Sequence, residues 1–431
     1  CRVAQRAVGF LGHPSSFWFS KKGGVRYLVC RFESILFPIR IEQRSIVVVS
    51  YLLIERMHIE LRNKLSYGSM ISKYAVYWGL KERGEKMIRL AVLGLNQGSK
   101  IARDAKVNAE IDLVAVAGFG DHDTQVASEL DVPLYNDYEQ LLKSEELDAV
   151  AIALPNSLHS AATELALEVG IKNILLEKPI ANSVEEAEHI IKICKDAGAV
   201  LLVGHHRRSS NRYQLLQKIV ESGRLGKIVG IQSNYAIAKP REYFDVEWHT
   251  KKGGGPLLIN AIHDFDDLNF VTGMKPARVY AAANNIVRGN EIEDSVSAVV
   301  EYDGGVTASY FISDGTPGPW NYDLAAEENT FFTMCPGENS MRVFGTKGSF
   351  GFPNMDLYYQ EDSAYGWLQP IKHEHFEVEK NDPMTAELEH FVDLCLGREQ
   401  VPRCSGENAL DTLKVILAMQ ESAETELPVK L

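Results

Sequence analysis

No Cys-x-x-Cys pair and no cysteine–histidine grouping at metal-ligand spacing occurs in the 431 residues; the six cysteines, Cys1, Cys30, Cys194, Cys335, Cys395 and Cys404, are scattered. That excludes a zinc-finger pattern and a disulfide framework, and argues for free thiols, a reducing cytoplasmic setting and no metal. Long apolar runs are missing as well. The longest candidate, 45–54, is half of the ~20 residues that a membrane helix needs. Aspartate is absent from 1–86, where 15 Lys+Arg face 6 Glu for a formal +9. The remaining chain, 87–431, holds 30 Lys+Arg against 52 Asp+Glu, a formal −22. A body that acidic lacks the clustered cations that nucleic acid or an anionic membrane requires, so the expected partner is a small molecule.

What is present is a chain long enough for two or three domains, with 45% hydrophobic residues. Residues 1–86 mix basic and aromatic side chains without sustained period and begin with Cys1. Three readings stay open: a targeting presequence, against which Glu33, Glu42, Glu55 and Glu60 speak; an extra domain; or an extension with no fold of its own, such as one from a misplaced gene start. The third is favoured.

From Met87 onward strand-length apolar runs alternate with helical stretches, as a βαβ architecture requires. Strands are expected at 88–93, 111–117, 132–135, 149–154 and 200–203, and helices at 99–109, 138–143, 160–169 and 183–197. The fold class is therefore α/β, with a doubly wound parallel Rossmann domain over 87–206. After Gly204 the strands lengthen and alternate, at 227–236, 277–283, 295–302, 306–313 and 340–344, with turn signals such as Asp303-Gly304-Gly305 between them. A second, α+β domain with a mostly antiparallel open sheet is expected over 207–383. Helices over 384–431 are expected to pack back on the first domain.

The turn after the first strand reads Gly94-Leu95-Asn96-Gln97-Gly98-Ser99-Lys100. A dinucleotide fingerprint wants Gly-x-Gly-x-x-Gly, and here Asn96 and Ser99 replace its second and third glycines. Its context, strand before and helix after, still offers amides to a phosphate, so Gly94, Asn96, Gly98 and Ser99 are the expected cofactor-binding turn. Some 20 residues on, where a ribose-reading acid belongs, stand Gly118, Phe119, Gly120, Asp121, His122 and Asp123. An acidic loop repels a 2′-phosphate, which inclines the reading to NAD over NADP; the same aspartates also suit helix capping.

The stretch 171–180 is a short apolar run ended by Glu177-Lys178-Pro179. Proline stops a ladder, so the run reads as a buried parallel strand with Glu177 and Lys178 at its carboxyl end, where open α/β sheets bind ligands. A surface turn in which the two merely pair is the competing reading.

Three signatures in this order resemble the Gfo/Idh/MocA family of NAD(P)-dependent sugar and polyol oxidoreductases: Ala153-Leu154-Pro155-Asn156-Ser157-Leu158-His159, then Glu177-Lys178-Pro179, then Gly204-His205-His206-Arg207-Arg208. The similarity continues through Gly253-Gly254-Gly255-Pro256 to His263-Asp264-Phe265-Asp266 and through Gly345-Thr346-Lys347-Gly348-Ser349, covering about 88–425. The resemblance implies that Lys178 contacts both nicotinamide and substrate hydroxyl and that Glu177 helps hold it. It implies that Pro155, Asn156 and His159 line the cofactor's ribose and nicotinamide, that His206 and Arg207 border the same crevice, and that His263 is the general acid/base. Many members carry Asp four residues before that histidine, a position occupied here by Ile259; Asn260 lies near the same helix face and is the expected substitute for orienting the ring or holding a substrate hydroxyl, though not as a base.

Lys239, Tyr243, Trp248, His249, Asp314, Trp320 and Asn321 are the candidates for substrate contact, because aromatic faces beside hydroxyl-bonding groups suit sugar rings. The leading function is a dehydrogenase or reductase acting on a sugar, polyol or inositol-like hydroxyl or keto group. The alternative is a non-catalytic dinucleotide-sensing regulator of the same fold, and a lyase or hydrolase that retains its cofactor is a third. A homo-oligomer formed through the sheet domain is expected from the resemblance.

Overall fold

The computed structural model describes residues 87–329, 331–361 and 365–431, together with the backbone of four strands nearer the amino terminus. Those strands, β1 (Ser16–Lys22), β2 (Val25–Phe32), β3 (Ile35–Glu42) and β4 (Ser45–Val48), pair consecutively as an antiparallel meander. The readings of 1–86 as a presequence, an extra domain or an extension without a fold of its own rest largely on residues outside those described. The chain falls into two compact units, 1–79 and 80–431, and the following concerns the second.

Its first sheet is six-stranded and parallel, in the order β10-β9-β8-β5-β6-β7. The strands are β5 (Ile88–Leu93), β6 (Ile111–Ala117), β7 (Leu134–Tyr135), β8 (Ala149–Ile152), β9 (Asn173–Glu177) and β10 (Val200–Gly204). Strands covered on both faces need apolar residues at successive positions, and Leu90, Ala91, Val92 and Leu93 are all fully buried. Between them run α1 (Gly98–Val107), α2 (Asp121–Leu130), α3 (Tyr138–Ser144), α4 (His159–Glu168) and α5 (Val184–Asp196). Local chemistry sets their ends: the Ser183 hydroxyl accepts the Glu186 N–H at 3.2 Å to start α5, a cap worth about 1 kcal/mol. Strand order reverses between β5 and β8, so the crevice where open sheets bind ligands lies beyond the carboxyl ends of these two strands.

The second sheet has nine strands, β18-β17-β16-β15-β11-β14-β13-β12-β19. They are β11 (Ile228–Ala236), β12 (Pro276–Asn284), β13 (Ser295–Tyr302), β14 (Thr307–Ser313), β15 (Met341–Gly345), β16 (Gly348–Phe352), β17 (Asp356–Tyr359), β18 (Lys372–His375) and β19 (Val429–Lys430). Only β11 with β14 is parallel; the other pairings are antiparallel. Gly304 and Gly305 both take positive φ, +85° and +83°, in the tight turn joining β13 to β14.

One face of this sheet is covered by helices α6 (Asn211–Glu221), α7 (Ile262–Thr272) and α10 (Gly406–Thr425). Leu216, Phe265, Leu268 and Met419 bury against Val279, Val296, Val300 and Ile312 there. The opposite face alternates outward and exposes Tyr280, Val299, Phe311 and Phe344. A short helix, α8 (Tyr322–Ala325), and α9 (Pro383–Cys395) complete the unit. From α9, Leu388, Phe391 and Val392 pack with Ile88 and Val92 of the first sheet. Helix α10 belongs to both cores: Ala409, Leu410 and Leu413 pack with Ile174 and Val203, while Val415, Ile416 and Met419 pack under the second sheet. Each large side chain so buried contributes about 1.5–3 kcal/mol, so burial rather than helix propensity holds it.

Candidate active site

The β5–α1 turn fits a dinucleotide more closely than its missing glycines suggest. Gly94 has φ +87°, and a Cβ there would stand 2.3 Å from the Ala153 carbonyl oxygen at the end of β8. Helix α1 starts at Gly98, where a Cβ would come within 2.9 Å of Val92 Cγ1. Gly98 thus performs, one residue early, the helix-packing task of the third glycine, whose place Ser99 takes; the Ser99 hydroxyl donates to the Asn96 carbonyl at 3.1 Å. A close backbone approach at Gly94 and close side-chain packing at Gly98 thus flank a helix N-terminus, an arrangement that fits a pyrophosphate. Asn96 is exposed at the rim, as is Pro155, and Asn156 opens a short 3-10 turn beside it.

In the acidic loop Asp123 turns inward: its carboxylate accepts the Phe119 N–H at 2.9 Å and lies 2.8 Å from His122 Nδ1. Asp123 therefore shapes the loop before α2, whose N-cap Gly120 receives no side-chain bond, while Asp121 stays exposed.

Strand β9 delivers Glu177 and Lys178 at its carboxyl end, followed by a cis Lys178–Pro179 peptide. The Glu177 carboxylate accepts the Lys178 main-chain N–H. A side chain at Gly204 on neighbouring β10 would crowd that carboxylate, at 3.3 Å from Oε2. The Lys178 ammonium reaches out of the Rossmann domain and donates to the Ile259 carbonyl at 3.2 Å. Burial lowers the Lys178 pKa and raises that of Glu177, each shift opposed by the other's charge. The two are not an idle surface pair.

Ile259 lies in a π-helical turn, Leu257–Ala261, that opens α7; the Ile262 N–H reaches back five residues to the Leu257 carbonyl. Such widened turns concentrate at functional sites. One turn on, His263 packs edge-on against His206, with ring centroids 5.0 Å apart, and against His205 at 6.1 Å. His263 Nδ1 and Asn260 Oδ1 are buried without a hydrogen-bond partner among the described residues. Burial, then the charges of Lys178 and Arg207, hold the His263 pKa well below the usual value. His206 is pushed down to about 3 by burial and the Arg207 and Lys178 charges. Burial pushes His205 down to about 4, against the pull of Asp266.

Two residues expected at the cofactor sit differently. Arg207 is buried, and its guanidinium bonds Asp264 (2.9 Å), Asp267 (3.2 Å) and Asp323 (3.0 Å), so it ties the Rossmann domain to α7 and α8 rather than presenting a free cation to the crevice. His159 is fully buried; its ring nitrogens lie 3.0 Å from the carbonyls of Pro179 and Leu154. It staples the loop after β8 to the loop after β9. Arg208 repeats the pattern of Arg207, gripping both Asp266 oxygens at 2.7 Å.

Of the substrate candidates, Lys239 and Asp314 meet as an ion pair at 3.0 Å, with Asp314 also held by Arg288. The Tyr243 ring lies 4.5 Å from the Lys239 ammonium and stacks on His249 at 3.9 Å. Trp248 and Trp320 are about half exposed, and Trp320 Nε1 donates to Glu338. Asn321 caps α8 and bonds the Ala236 carbonyl, a structural role. Arg288 and Glu293 escaped sequence reasoning; Glu293 Oε1 accepts the Leu257 N–H at 3.2 Å, and no local pattern marks either loop residue. A polar cleft of about 450 Å³ between α6 and α9, lined in part by Asn211, Asp382, Glu389 and Arg403, includes neither Lys178 nor His263. Buried His205, Asp266 and Cys404 are close enough to share a metal ion. Arg208 nonetheless occupies both Asp266 oxygens, so the set does not suit one.

The family model described as Oxidoreductase family, NAD-binding Rossmann fold, matches residues 88–205, and that of the GFO/IDH/MocA C-terminal domain matches 213–351. The chain is 28% identical over 312 residues to a D-xylose 1-dehydrogenase (NADP(+)) of Haloferax volcanii, covering 71% of this chain and 87% of that one. It is 27% identical over 357 residues to an inositol 2-dehydrogenase of Rhizobium meliloti, covering 80% and 99%. In fold it is similar to the crystal structure of the WlbA dehydrogenase of Bordetella pertussis, with TM-score 0.63, 23% identity and coverage of 80% and 99%. With both family domains matched in order, and with the strand-end lysine of one reaching the histidine-bearing helix of the other, the chain belongs to the Gfo/Idh/MocA family of NAD(P)-dependent oxidoreductases.

Proposed function

We propose that this protein is a dehydrogenase or reductase that moves a hydride between a nicotinamide cofactor and a hydroxyl or keto carbon of a sugar, polyol or inositol-like substrate. The observation that carries the reading is the Lys178 ammonium lodged on the Ile259 carbonyl, one helical turn before His263. Gly94, Asn96, Gly98 and Ser99 hold the pyrophosphate at the α1 N-terminus, and Pro155 and Asn156 border the nicotinamide end. When bound, the nicotinamide accepts or returns the hydride. Lys178 polarises the substrate oxygen and stabilises its developing negative charge. His263, kept neutral by burial, is in the form that accepts a proton, and the charge developing on the substrate oxygen raises its proton affinity as the proton leaves. Asn260, with a free buried oxygen, receives a neighbouring hydroxyl of the substrate.

The exposed acid Asp121 favours NAD over NADP. The exposed apolar sheet face of Tyr280, Val299, Phe311 and Phe344 supports a homo-oligomer built through that sheet. Cys194, Cys335, Cys395 and Cys404 are free, and no helix among the described residues is long and apolar enough to cross a membrane; both suit a cytoplasmic enzyme.

Ile259 in place of a carboxylate keeps a second reading in play, a dinucleotide sensor without turnover. Absorbance of the reduced nicotinamide with a panel of sugars, polyols and inositols decides between them: turnover on any supports the enzyme, whereas nucleotide binding with no turnover on all of them leaves the sensor.

A further inference from the structure

We propose that the substrate carries a carboxylate and that Lys239 receives it, so that the ligand class is a sugar acid rather than a neutral polyol. This rests on the dehydrogenase reading above and specifies its substrate. Lys239 follows β11; its main-chain N–H is fixed to the Asp314 carbonyl at 2.9 Å and its side chain is nine-tenths buried. The ammonium lies 3.0 Å from Asp314 Oδ2 and 4.5 Å from the Tyr243 ring centroid. Beyond that ion pair it has no acceptor among the described residues, although an ammonium carries three donors.

The surrounding charge shows what those donors await. Asp314 is shared, because Arg288 also bonds its Oδ1 and its main-chain carbonyl; two cations thus face one carboxylate. The other acidic groups nearby are bonded elsewhere: Asp264, Asp267 and Asp323 to Arg207, Asp266 to Arg208, Asp294 to the Val287 and Arg288 N–H groups and the Ser295 hydroxyl, and Glu177 to the Lys178 N–H. Glu293 is turned to the Leu257 N–H, and burial raises its pKa toward the neutral form. That bond anchors Glu293 to the first residue of the π-turn whose Ile259 carbonyl receives Lys178, and Glu293 lies within electrostatic reach of Asp314 and Lys239, so the Lys239 cluster neighbours the reactive lysine. Burial and then the Arg288 and Lys178 charges lower the Lys239 pKa, with Asp314 opposing. A site in which Lys239 and Arg288 share one carboxylate, and in which the remaining carboxylates are bonded to other groups, is completed at Lys239 by an anion that the ligand brings.

The test uses matched pairs that differ only in the acid: D-glucuronate against D-glucose, and D-galacturonate against D-galactose, each with NAD⁺ and with NADP⁺. The expected result is a kcat/KM at least about tenfold higher for the acid of a pair. In Lys239→Met that preference collapses toward unity, with the loss falling on KM, while Lys239→Arg retains it. A neutral sugar used as well as its acid, or a Lys239→Met preference equal to that of the wild type, overturns the proposal. Should Lys239→Met not fold, the wild-type ratio alone decides. If no member of either pair reduces either nucleotide, the dehydrogenase reading fails on these substrates, and calorimetry on the NADH-loaded protein decides the carboxylate separately. Glucuronate heat that is present in wild type and lost in Lys239→Met or Lys239→Gln supports it; no heat in wild type overturns it.

Discussion

The Lys178 ammonium stands 3.2 Å from the main-chain carbonyl of Ile259, so a side chain of the nucleotide domain is docked on the helix that carries His263. A carbonyl dipole holds the lysine without neutralising it. Burial lowers the Lys178 pKa, the Glu177 charge opposes that shift, and the Lys178 charge in turn helps hold the His263 pKa down.

Replacing Lys178 by Met removes that charge while keeping most of the apolar stem. The kcat/KM is expected to fall by about 10²–10⁴, the range for one positioned electrostatic or acid–base group. Nucleotide affinity, read from quenching of protein fluorescence by NADH, is expected to change by no more than a few-fold. Undiminished turnover would take Lys178 out of the chemistry.

Ile259→Asp places a carboxylate one turn before His263. A negative charge there favours the imidazolium, so the His263 pKa rises and the acid limb of the pH–kcat/KM profile moves to higher pH, by roughly one unit for a charge within ~6 Å. A profile that stays put, or moves to lower pH, shows that the limb reports another group.

At Gly94 any side chain meets the Ala153 carbonyl and a left-handed backbone. Gly94→Val is expected to lose nucleotide binding in a titration and to destabilise the protein by about 1–3 kcal/mol through the strained φ. Wild-type NAD affinity in that variant would remove this turn from the nucleotide site.

His205 is buried, and its pKa falls to about 4. The unfolded chain takes up a proton near the ordinary histidine value while the folded one does not, so this group's contribution to stability declines as pH falls from about 6.5 toward 4. Asp264 and Asp267, raised by burial to about 6 and about 8, work the opposite way, adding stability at low pH that is lost as pH rises through those values. Comparing His205→Gln with wild type cancels their part. The loss of unfolding free energy between pH 7 and pH 5 is expected to shrink by about 2 kcal/mol in the variant, measured by urea titration at both pH values.

Arg208→Met leaves Asp266 buried beside a hydroxyl, a thiol and the His205 ring, without its guanidinium. Breaking one side of such a pair costs about 3–5 kcal/mol. A urea midpoint equal to that of wild type would mean that Asp266 is protonated or solvated in the variant.

The Rossmann half was legible because its signals are local. Strand β5 announces itself as an apolar run, and Pro179 marks where β9 stops, which puts Lys178 just past the carboxyl end of that strand. The later strands of the second sheet were missed: β16 reads Gly-Ser-Phe-Gly-Phe and β18 Lys-His-Glu-His, and neither alternates apolar with polar in a way that separates it from a loop. Charged residues were the other blind spot. Sequence identifies Arg207 as a cation but not its partners, which lie 57, 60 and 116 residues away. His159 likewise looked like a ligand-facing group, but the structure buries it between the Pro179 and Leu154 carbonyls. Gly98 shows the converse, since the spacing of a motif can slip by one residue while the physical requirement for a missing Cβ stays satisfied.

Helix α10 contributes side chains to the interior of both domains, and β19 just beyond it pairs with β12 at the margin of the large sheet. Neither interior is complete without it, so melting of one deprives the other of a wall, and calorimetry on this unit should record one cooperative transition in place of two. Fraying of this one helix would therefore loosen the strand that carries the lysine and the helix that carries the histidine together.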